Sequence, residues 1–525
     1  MKLGHIVGMA AVAALAVAPL AAQAQKRGGE LRFAVSAEPP NYDCHANSSF
    51  AFIHPVRPHY NTLLKFDAAH YPKVKGDLAE SWTISKDGLT YTFKLHKGVK
   101  FHDGSDFTSA DVKASYERIY NPPQGVVSLR KGAYSDISSI ETPDAHTVVF
   151  KLKAPNSAML ALFASPWDCI YSAEKLKQDP NFPQRNILGT GPFTFVEHAA
   201  GSHWVGKRFE GYFEKGKPYL DGFRAIFIRN TAARVNALQA GEVLAEFRGH
   251  SPADRDKLVE SVGDKVNVHE SPWACALVVT HNTEKKPFND ARVRRALSLA
   301  VDRWGGAQAL SKIALVRHVG GVLRPGYDLA PSEQELVRYP GFGKDIEKAR
   351  AEAKRLLKEA GVPNLKFKFT NRNVPMPYTP VGVFLIDQWR QIGVTAEHEQ
   401  LETKLYQAAL RSGNYEVGLD YNCDFMDEPN LQLQKYVSAS KSTINYARYD
   451  DPKLDELFEK QVRAGTKEER IKYLRAFEQR VLEQAYTVPT IWWHRIVVTW
   501  KQLKGWHMSP SHYLNQDLTD VWLDQ

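Results

Sequence analysis

The residues that could do chemistry are most concentrated between Asp420 and Glu428. Four carboxylates fall within these nine residues, at Asp420, Asp424, Asp427 and Glu428. Carboxylates at this density can bind a cation or an amine, because they supply negative charge and oxygen acceptors. The alternative is a capped loop whose acids are solvated, and the segment alone does not decide between these two interpretations.

Signals for catalysis or for a bound metal are weak in this chain. No G-x-S-x-G nucleophile motif and no H-E-x-x-H zinc motif occurs, which argues against a hydrolase. His45, His281 and His494 are isolated in sequence and form no compact array for nickel or zinc. The four cysteines contain no C-x-x-C pair and allow three disulfide connectivities. We therefore expect neither a cofactor nor a metal site.

Residues 1–24 are typical of a cleavable signal peptide. Lys2 supplies a positive start, Ile6–Leu20 is an Ala/Val/Leu-rich core, and residues 22–24 (AQA) form a small-residue cleavage site. The apolar run is too short to span a bilayer well, and no cysteine for lipid attachment stands at the cleavage site. We expect an exported, soluble protein that is free in a bacterial periplasm.

The bulk composition predicts a folded chain with more than one domain. Of its 525 residues, 43% are hydrophobic and 24% are charged, which excludes wholesale disorder. The formal net charge is +9, but the basic residues are spread along the chain without a dense Lys/Arg run. Because nucleic-acid binding needs clustered positive charge, we expect no nucleic-acid partner.

Hydrophobic periodicity predicts an α/β chain. Residues 89–95 alternate strictly between apolar and polar, as in a half-buried strand. Residues 266–270 and 488–500 are predicted as further strands. Between residues 365 and 421 the pattern is β-α-β-α-β, which predicts a mostly parallel sheet. Ligands bind beyond the carboxyl ends of such strands, which points to residues 372–378 and 422–429.

Three motifs are far more specific than these patterns. They are GLTYTFKLHKGVKFHDG from Gly88, LGTGPFTF from Leu188, and LVVTHNTEKKPFNDARVRRALSLAVDR from Leu277. Together they closely resemble the motifs of the bacterial extracellular solute-binding proteins of family 5, which feed peptide- and nickel-type ABC importers. The resemblance covers essentially the whole mature chain. It implies a monomeric binding protein without enzymatic activity, whose partners are a small-molecule or peptide ligand and an inner-membrane ABC permease.

The resemblance also implies a fold and a domain division. The expected fold is α/β, a two-lobed periplasmic-binding-protein fold of type II in its large three-domain variant, cluster C, with mixed sheets. Domain I is discontinuous and comprises residues 25–68, 190–272 and 498–525. Domain II, residues 69–189, is inserted in it, and domain III, residues 273–497, forms the second lobe.

A ligand would then lie between the two lobes. We expect ten residues to line this cleft, because they correspond to the family's ligand-binding positions or follow the predicted strands. The aromatic residues among them offer rings on which an apolar ligand could stack. They are Ser48, Phe50, Trp273, Arg372, Met376, Tyr378, Asn422, Asp424, Phe425 and Trp493.

Both charged anchors of the peptide-binding members are altered here. Their loop G-W-x-x-D-x-x-[DE]-P grips the peptide amine with its first Asp, and aligned on Glu428-Pro429 that position is Phe425. Asp424 lies one residue before the position of the family's Asp, so on an extended segment its side chain would point to the opposite face of the strand. Dipeptide-type members take the carboxylate with the Arg of R-P-Y-N-P, where this chain has Met376 and a displaced Arg372.

These changes lead to an expectation about the ligand. We expect a peptide-like, amphipathic or aromatic solute, neutral or cationic, rather than a free dipeptide. A one-residue shift of the alignment would restore Asp424 as an amine anchor. A secreted ligand sensor or chaperone is an alternative that the sequence does not separate from transport, and a periplasmic hydrolase is a weaker one.

The family also suggests one disulfide. Its oligopeptide-binding members pair cysteines near Cys275 and Cys423, which implies a bond between these two residues. Cys44 and Cys169 have no comparable argument.

Overall fold

The computed structural model describes residues 25–374 and 376–525. The predicted signal peptide, residues 1–24, lies outside the described residues. Helices and strands alternate along most of the chain, as expected for an α/β fold. The α-helices are Phe50–Val56, Ser109–Tyr120, Met159–Leu162, Ala173–Gln178, Thr231–Gln239, Pro252–Val262, Ala291–Leu299, Arg303–Leu310, Glu333–Leu336, Ile346–Glu359, Tyr378–Arg390, Thr403–Ser412, Pro429–Gln432, Pro452–Arg463 and Lys467–Gln484.

The first lobe contains a mixed sheet and a separate antiparallel sheet. In the mixed sheet one pair of strands is parallel and the others are antiparallel. Its strands, in spatial order, are Glu30–Val35, Gly222–Phe227, His203–Arg208 and Phe193–Ala199. The antiparallel sheet has the order Ala79–Ile84, Thr90–Leu95, Thr147–Leu152 and Ile137–Asp144. Tyr91, Phe93 and Leu95 are buried in it, as the strict alternation predicts.

The second lobe is built on a six-stranded mixed sheet. Its strands, in spatial order, are Val316–His318, Thr487–Trp500, Val266–His281, Val417–Cys423, Lys366–Arg372 and Thr395–Leu401. The last three are parallel to one another, which confirms the predicted β-α-β-α-β arrangement. Short pairs Leu64–Phe66 with Val74–Gly76 and Leu503–Lys504 with Trp522–Leu523 complete the strands.

Two long antiparallel strands connect the lobes. Val266 pairs with Trp500 at one end of Val266–His281, and Thr280 pairs with Thr487 at the other. The pairing is irregular between Pro272 and Val278, where the strands pass from one lobe to the other. Such irregularities bend a strand and re-aim its side chains. The strands therefore carry the chain between the lobes.

The sheets are covered by separate hydrophobic cores. One core lies in the second lobe around Trp389 and Phe369, and two others lie in the first lobe around Phe150 and Phe223. The predicted boundaries between domains I, II and III stay a prediction. No helix in residues 25–374 or 376–525 is both long enough and apolar enough to cross a membrane.

All four cysteines are paired. Cys275 and Cys423 occupy directly opposite positions on neighbouring antiparallel strands, with their Cα atoms 4.1 Å apart, and form a disulfide as expected. Cys44 and Cys169 form a second disulfide within the first lobe, with a Cα separation of 6.0 Å. The first bond closes a separation of 148 residues within the second lobe.

Breaking the Cys275–Cys423 bond should destabilise the protein. Cross-links that close long loops restrict the unfolded chain, so the Cys275→Ser/Cys423→Ser variant should lose about 2–4 kcal/mol of unfolding free energy. Chemical denaturation followed by circular dichroism measures this loss. Thiol titration of the unreduced wild type in denaturant should detect no free thiol; two or more reactive thiols would contradict the pairing.

Candidate ligand-binding cleft

A cavity of about 760 Å³ lies between the two lobes. This volume falls in the range that ordinarily encloses a small ligand. Residues from three parts of the chain line it, so it is not a pocket within a single domain. Among its lining residues are Ser48, Arg130, Asp136, Asn156, Asp424, Phe425, Asn430 and Arg463.

Three of the four acids in the 420–428 segment are structural. Arg324 donates from Nε to both carboxylate oxygens of Asp427 at 2.9 Å. Lys435 pairs with Asp420, and Arg470 pairs with Glu428. All of these side chains are buried. A buried charge requires a compensating partner, and each of these three acids has one. Their ion pairs hold the loop in place. They are therefore not the solvated acids that the sequence left open as an alternative.

Asp424 is the exception. Within the described part of the chain it forms no ion pair, and its Oδ1 accepts a hydrogen bond from the Phe425 amide at 2.8 Å. Burial raises the pKa of the Asp424 carboxyl to about 7, and Asp427 and Glu428 add to this rise, whereas Arg130 opposes it. A desolvated carboxylate that lines a cavity and forms no ion pair within the described residues is a strong candidate for binding a positive group.

Asp424 and Phe425 line the same cavity. The expectation that they point in opposite directions assumed an extended segment. The strand ends at Cys423, however, and the chain bends before the helix Pro429–Gln432 begins. The Asp424 amide still donates to the carbonyl of Ala274 on the crossing strand. The alternation argument therefore does not apply here, and Asp424 is placed to meet a ligand.

Aromatic residues from the second lobe form a continuous group beside the crossing strands. The Trp493 ring packs edge-on against Trp273 at 5.4 Å and against Tyr378 at 6.2 Å, and Tyr378 packs against Tyr421 at 6.4 Å. Trp273 donates from its indole to His512 at 3.0 Å, so it is bound to the first lobe. The buried indole N–H of Trp493 has no partner in residues 25–374 and 376–525.

The other predicted residues of this lobe have different surroundings. Arg372 donates from Nε to Thr403 at 2.9 Å and lies over the Tyr378 ring. Met376 is partly buried and packs on the core of the lobe. Asn422 is buried, and its amide donates to the carbonyl of Gln432 at 2.9 Å, so it holds the loop and does not line the cavity.

The first lobe contributes two predicted residues and one, Arg130, that the sequence did not indicate. Ser48 is exposed at the cavity wall, and Phe50 begins a helix nearby. The Arg130 guanidinium lies between the rings of Trp167, at 4.6 Å, and Phe425, at 5.7 Å. It donates to the carbonyl of Asn47, while its buried Nε has no partner in the described residues. Arg130 therefore brings a positive charge to the cavity opposite Asp424.

Tyr513 lies where the charged groups of the two lobes meet. Its ring centroid is 3.8 Å from that of His512 and 5.5 Å from that of Trp167. Burial raises the pKa of Tyr513 to about 12; the nearby Arg248 and Arg130 oppose the rise, and Asp424 adds to it. Arg130 does not stand in a recognisable motif, so only the folded structure brings it to the cavity.

Direct bonds between the lobes close one side of the cavity. Arg463 of the second lobe binds both oxygens of Asp136 at 2.8 and 3.1 Å. Asn430 donates to Asn156 at 3.0 Å, and the Ser157 amide donates to the carbonyl of Val462 at 2.9 Å. These contacts hold the lobes together around the cavity.

A larger groove, of about 1220 Å³, lies within the second lobe between residues 304 and 336 and beside Arg475. Its arginines are already matched, because Arg475 pairs with Glu335 and Arg317 pairs with Glu270. In the described residues no group of three or more His, Cys, Asp and Glu side chains is placed to hold a metal ion. The interlobe cavity is therefore the better candidate for the functional site.

Two lobes that are joined by crossing strands, with an unpaired carboxylate at the cavity between them, are typical of a solute-binding protein. Comparison with known proteins identifies the family. Residues 73–443 match the family described as "Bacterial extracellular solute-binding proteins, family 5 Middle", and the chain belongs to this family. It is the solute-binding component of an ABC importer.

Individual relatives support the same assignment. The glutathione-binding protein GsiB of Escherichia coli O1:K1 / APEC is 28% identical over 455 residues, which is 84% of each chain. The structure of the PBP AgaA from A. tumefacien R10 with agropinic acid is 26% identical, with a TM-score of 0.77 over 95% of this chain and 99% of that one. DppA from Helicobacter pylori with the peptide STSA is 24% identical, with a TM-score of 0.79 over 95% and 99%, and shows the fold.

Replacement of Asp427 should cost much more stability than replacement of Asp424. Asp427→Asn leaves the buried Arg324 charge uncompensated and should cost about 3–5 kcal/mol. Asp424→Asn removes no ion pair, and its amide oxygen can keep the Phe425 bond, so it should change stability by less than about 0.5 kcal/mol. Urea denaturation of both variants at neutral pH provides the comparison. Equal losses would show that Asp424 is a structural acid too.

Proposed function

We propose that this protein captures a peptide-like solute with a primary amine between its two lobes in the periplasm and delivers it, as a monomer, to an ABC permease. The observation that carries the proposal is the unmatched Asp424 carboxylate at the interlobe cavity. An ammonium group is the natural partner, because it can donate hydrogen bonds to both oxygens and neutralise the charge.

The surroundings of Asp424 suit the remainder of such a ligand. Phe425 contributes a ring to the cavity, while the exposed Ser48 offers a hydroxyl group. This mixture of an apolar surface and a few polar groups is typical of sites for amphipathic small molecules. The relatives support the class of solute, since GsiB is named for glutathione, AgaA was solved with agropinic acid and DppA with a tetrapeptide.

Delivery requires that capture and release follow the closing and opening of the lobes. The two crossing strands provide a connection with an irregular segment, and the Arg463–Asp136 contact joins the lobes on the far side of the cavity. Hinged closure of this kind presents a ligand-dependent surface to a partner. The export that this role needs is consistent with the predicted signal peptide.

The amine contact can be tested by calorimetry with glutathione and with the peptide Ser-Thr-Ser-Ala. Acetylation of the amine should weaken binding by about 10- to 100-fold, and Asp424→Asn should cause a similar loss for the free amine. The exposed Asp387, which pairs only with its helix neighbour Arg390, provides the control Asp387→Asn. Equal binding of free and acetylated peptides would contradict the proposal.

The raised pKa of Asp424 gives this contact a pH dependence. The carboxyl is half ionised at about pH 7, and the ammonium requires the ionised form. Affinity should therefore rise by about 20- to 30-fold from about pH 5.5 to about pH 7.5. The Asp424→Asn variant should show no such rise. A pH-independent affinity in the wild type would mean that Asp424 is not the anchor.

The contact between the lobes should set the balance between open and closed forms. Arg463→Ala removes the bonds to Asp136 without touching the ion pairs of the 420–428 loop. The ligand-free variant should have a larger radius of gyration in X-ray scattering and should bind about two- to fivefold more weakly. Arg390→Ala, which removes an exposed pair on the same lobe, is the matched control. Identical scattering of wild type and Arg463→Ala would refute the closing role.

A further inference from the structure

Glu270 is a carboxylate at the crossing between the lobes, and it binds three cationic or histidine side chains. It lies just before Pro272, where the irregular pairing of the two long strands begins. Nη1 of Arg255 donates to Oε1 of Glu270 at 2.5 Å. The other oxygen, Oε2, accepts from Nη1 of Arg317 at 3.0 Å and from Nε2 of His494 at 2.9 Å.

The two oxygens of Glu270 are bonded to different lobes. Arg255 lies on the helix Pro252–Val262, which packs in a core of the first lobe together with Val266 at the start of the Glu270 strand. Arg317 lies on the edge strand of the second-lobe sheet. Oε1 is therefore bonded within the first lobe, whereas Oε2 receives an arginine from the second.

The charges of this network are settled by its own members. Burial acts to raise the pKa of Glu270, but the hydrogen bond from His494 and the charges of Arg255 and Arg317 hold it below its ordinary value. Burial, followed by the neighbouring His494 and Arg317, lowers the pKa of His318 to about 4. At neutral pH the carboxylate is therefore ionised and His318 is neutral.

Two histidines extend the network to the second lobe. Because an ionised carboxylate only accepts hydrogen bonds, His494 donates to Glu270 from Nε2 and accepts at Nδ1. Nε2 of His318 then donates to Nδ1 of His494, with 2.9 Å between the nitrogens. His318 lies on the same strand as Arg317, so this strand is tied to the crossing through two side chains.

This tie lies apart from the other contact between the lobes. Arg463 and Asp136 join the lobes beside the solute cavity. Arg317 and Glu270 join them at the crossing strands. Since Arg317 is carried by the second-lobe sheet, a rotation of the lobes about the irregular segment would move it away from Glu270.

We propose that Glu270, Arg317, His494 and His318 form a hinge clasp that favours the arrangement in which the two lobes touch. Resting on the hinged closure of the proposed function, the clasp sets the balance between open and closed forms from outside the solute site. When the lobes separate, Arg317 leaves Glu270, while Arg255 stays bonded because it belongs to the same lobe.

The test measures the distance between the lobes in the ligand-free protein. Spin labels on Val196→Cys in the first lobe and Val383→Cys in the second report it by pulsed electron paramagnetic resonance. Both positions are exposed, and the four native cysteines are paired and do not take the label. Arg317→Ala should raise the ratio of open to closed forms by about two- to fivefold. The affinity for glutathione should fall by the same factor.

Three variants separate the clasp from a general loss of charge. Arg255→Ala removes a partner of Glu270 within the first lobe and should shift the populations less than Arg317→Ala. Arg224→Ala removes an exposed first-lobe pair and should leave them unchanged. In a Glu270→Ala background, Arg317→Ala should have no further effect, because the bond is already absent. Thermal melting reports whether each variant is folded.

Identical distance distributions of the wild type and Arg317→Ala would overturn the clasp, whichever solute the protein binds. A shift that persists in the Glu270→Ala background would overturn it too, since another contact of Arg317 would then be responsible. If Arg317→Ala opens the lobes but neither glutathione nor Ser-Thr-Ser-Ala binds the wild type, the clasp stands and the proposed class of solute fails.

Discussion

The pairing of two long strands is the constraint on which the rest of the structure depends. Val266–His281 and Thr487–Trp500 run side by side from one lobe into the other. Trp273 and Trp493 lie on the strands themselves, and the Asp424 amide bonds to the carbonyl of Ala274. The Cys275–Cys423 disulfide ties the acidic loop to the same crossing. The two paired strands thus fix the position of the acidic loop at the site between the lobes.

Charge matching separates the structural residues from the functional ones. A buried charge is costly unless a partner compensates it, and most buried acids and bases here are compensated. Asp427 with Arg324 and Glu428 with Arg470 follow this rule. Asp424 does not, because it forms no ion pair within the described residues. Its desolvation is a cost in the ligand-free protein, and a ligand with a positive charge would relieve it.

The sequence predicted those parts of the fold that local patterns determine. Alternation identified the strand Thr90–Leu95, and the β-α-β-α-β segment was confirmed because each of its helices and strands has its own periodicity. The strand beginning at Val266 was expected to stop at residue 270 but continues to His281. Pro272 interrupts the local pattern there, and pairing with the distant strand Thr487–Trp500 maintains the extended chain.

The site was less predictable than the fold. Asp424 was recognised as a candidate, but its direction depended on a bend after Cys423 that alternation does not describe. Asn422 was placed in the cleft by sequence position, whereas its amide is used to hold Gln432. Arg130 and Phe425 are separated by more than half of the chain and meet only through tertiary packing. No local signal could have paired them.

The central claim is that solute binds between the lobes through its amine. A crystal structure of the protein with a bound peptide-like solute tests this most directly. The account predicts an ammonium nitrogen within hydrogen-bond distance of the Asp424 carboxylate. A solute in the groove of the second lobe, or one between the lobes whose ammonium group does not contact Asp424, would contradict it.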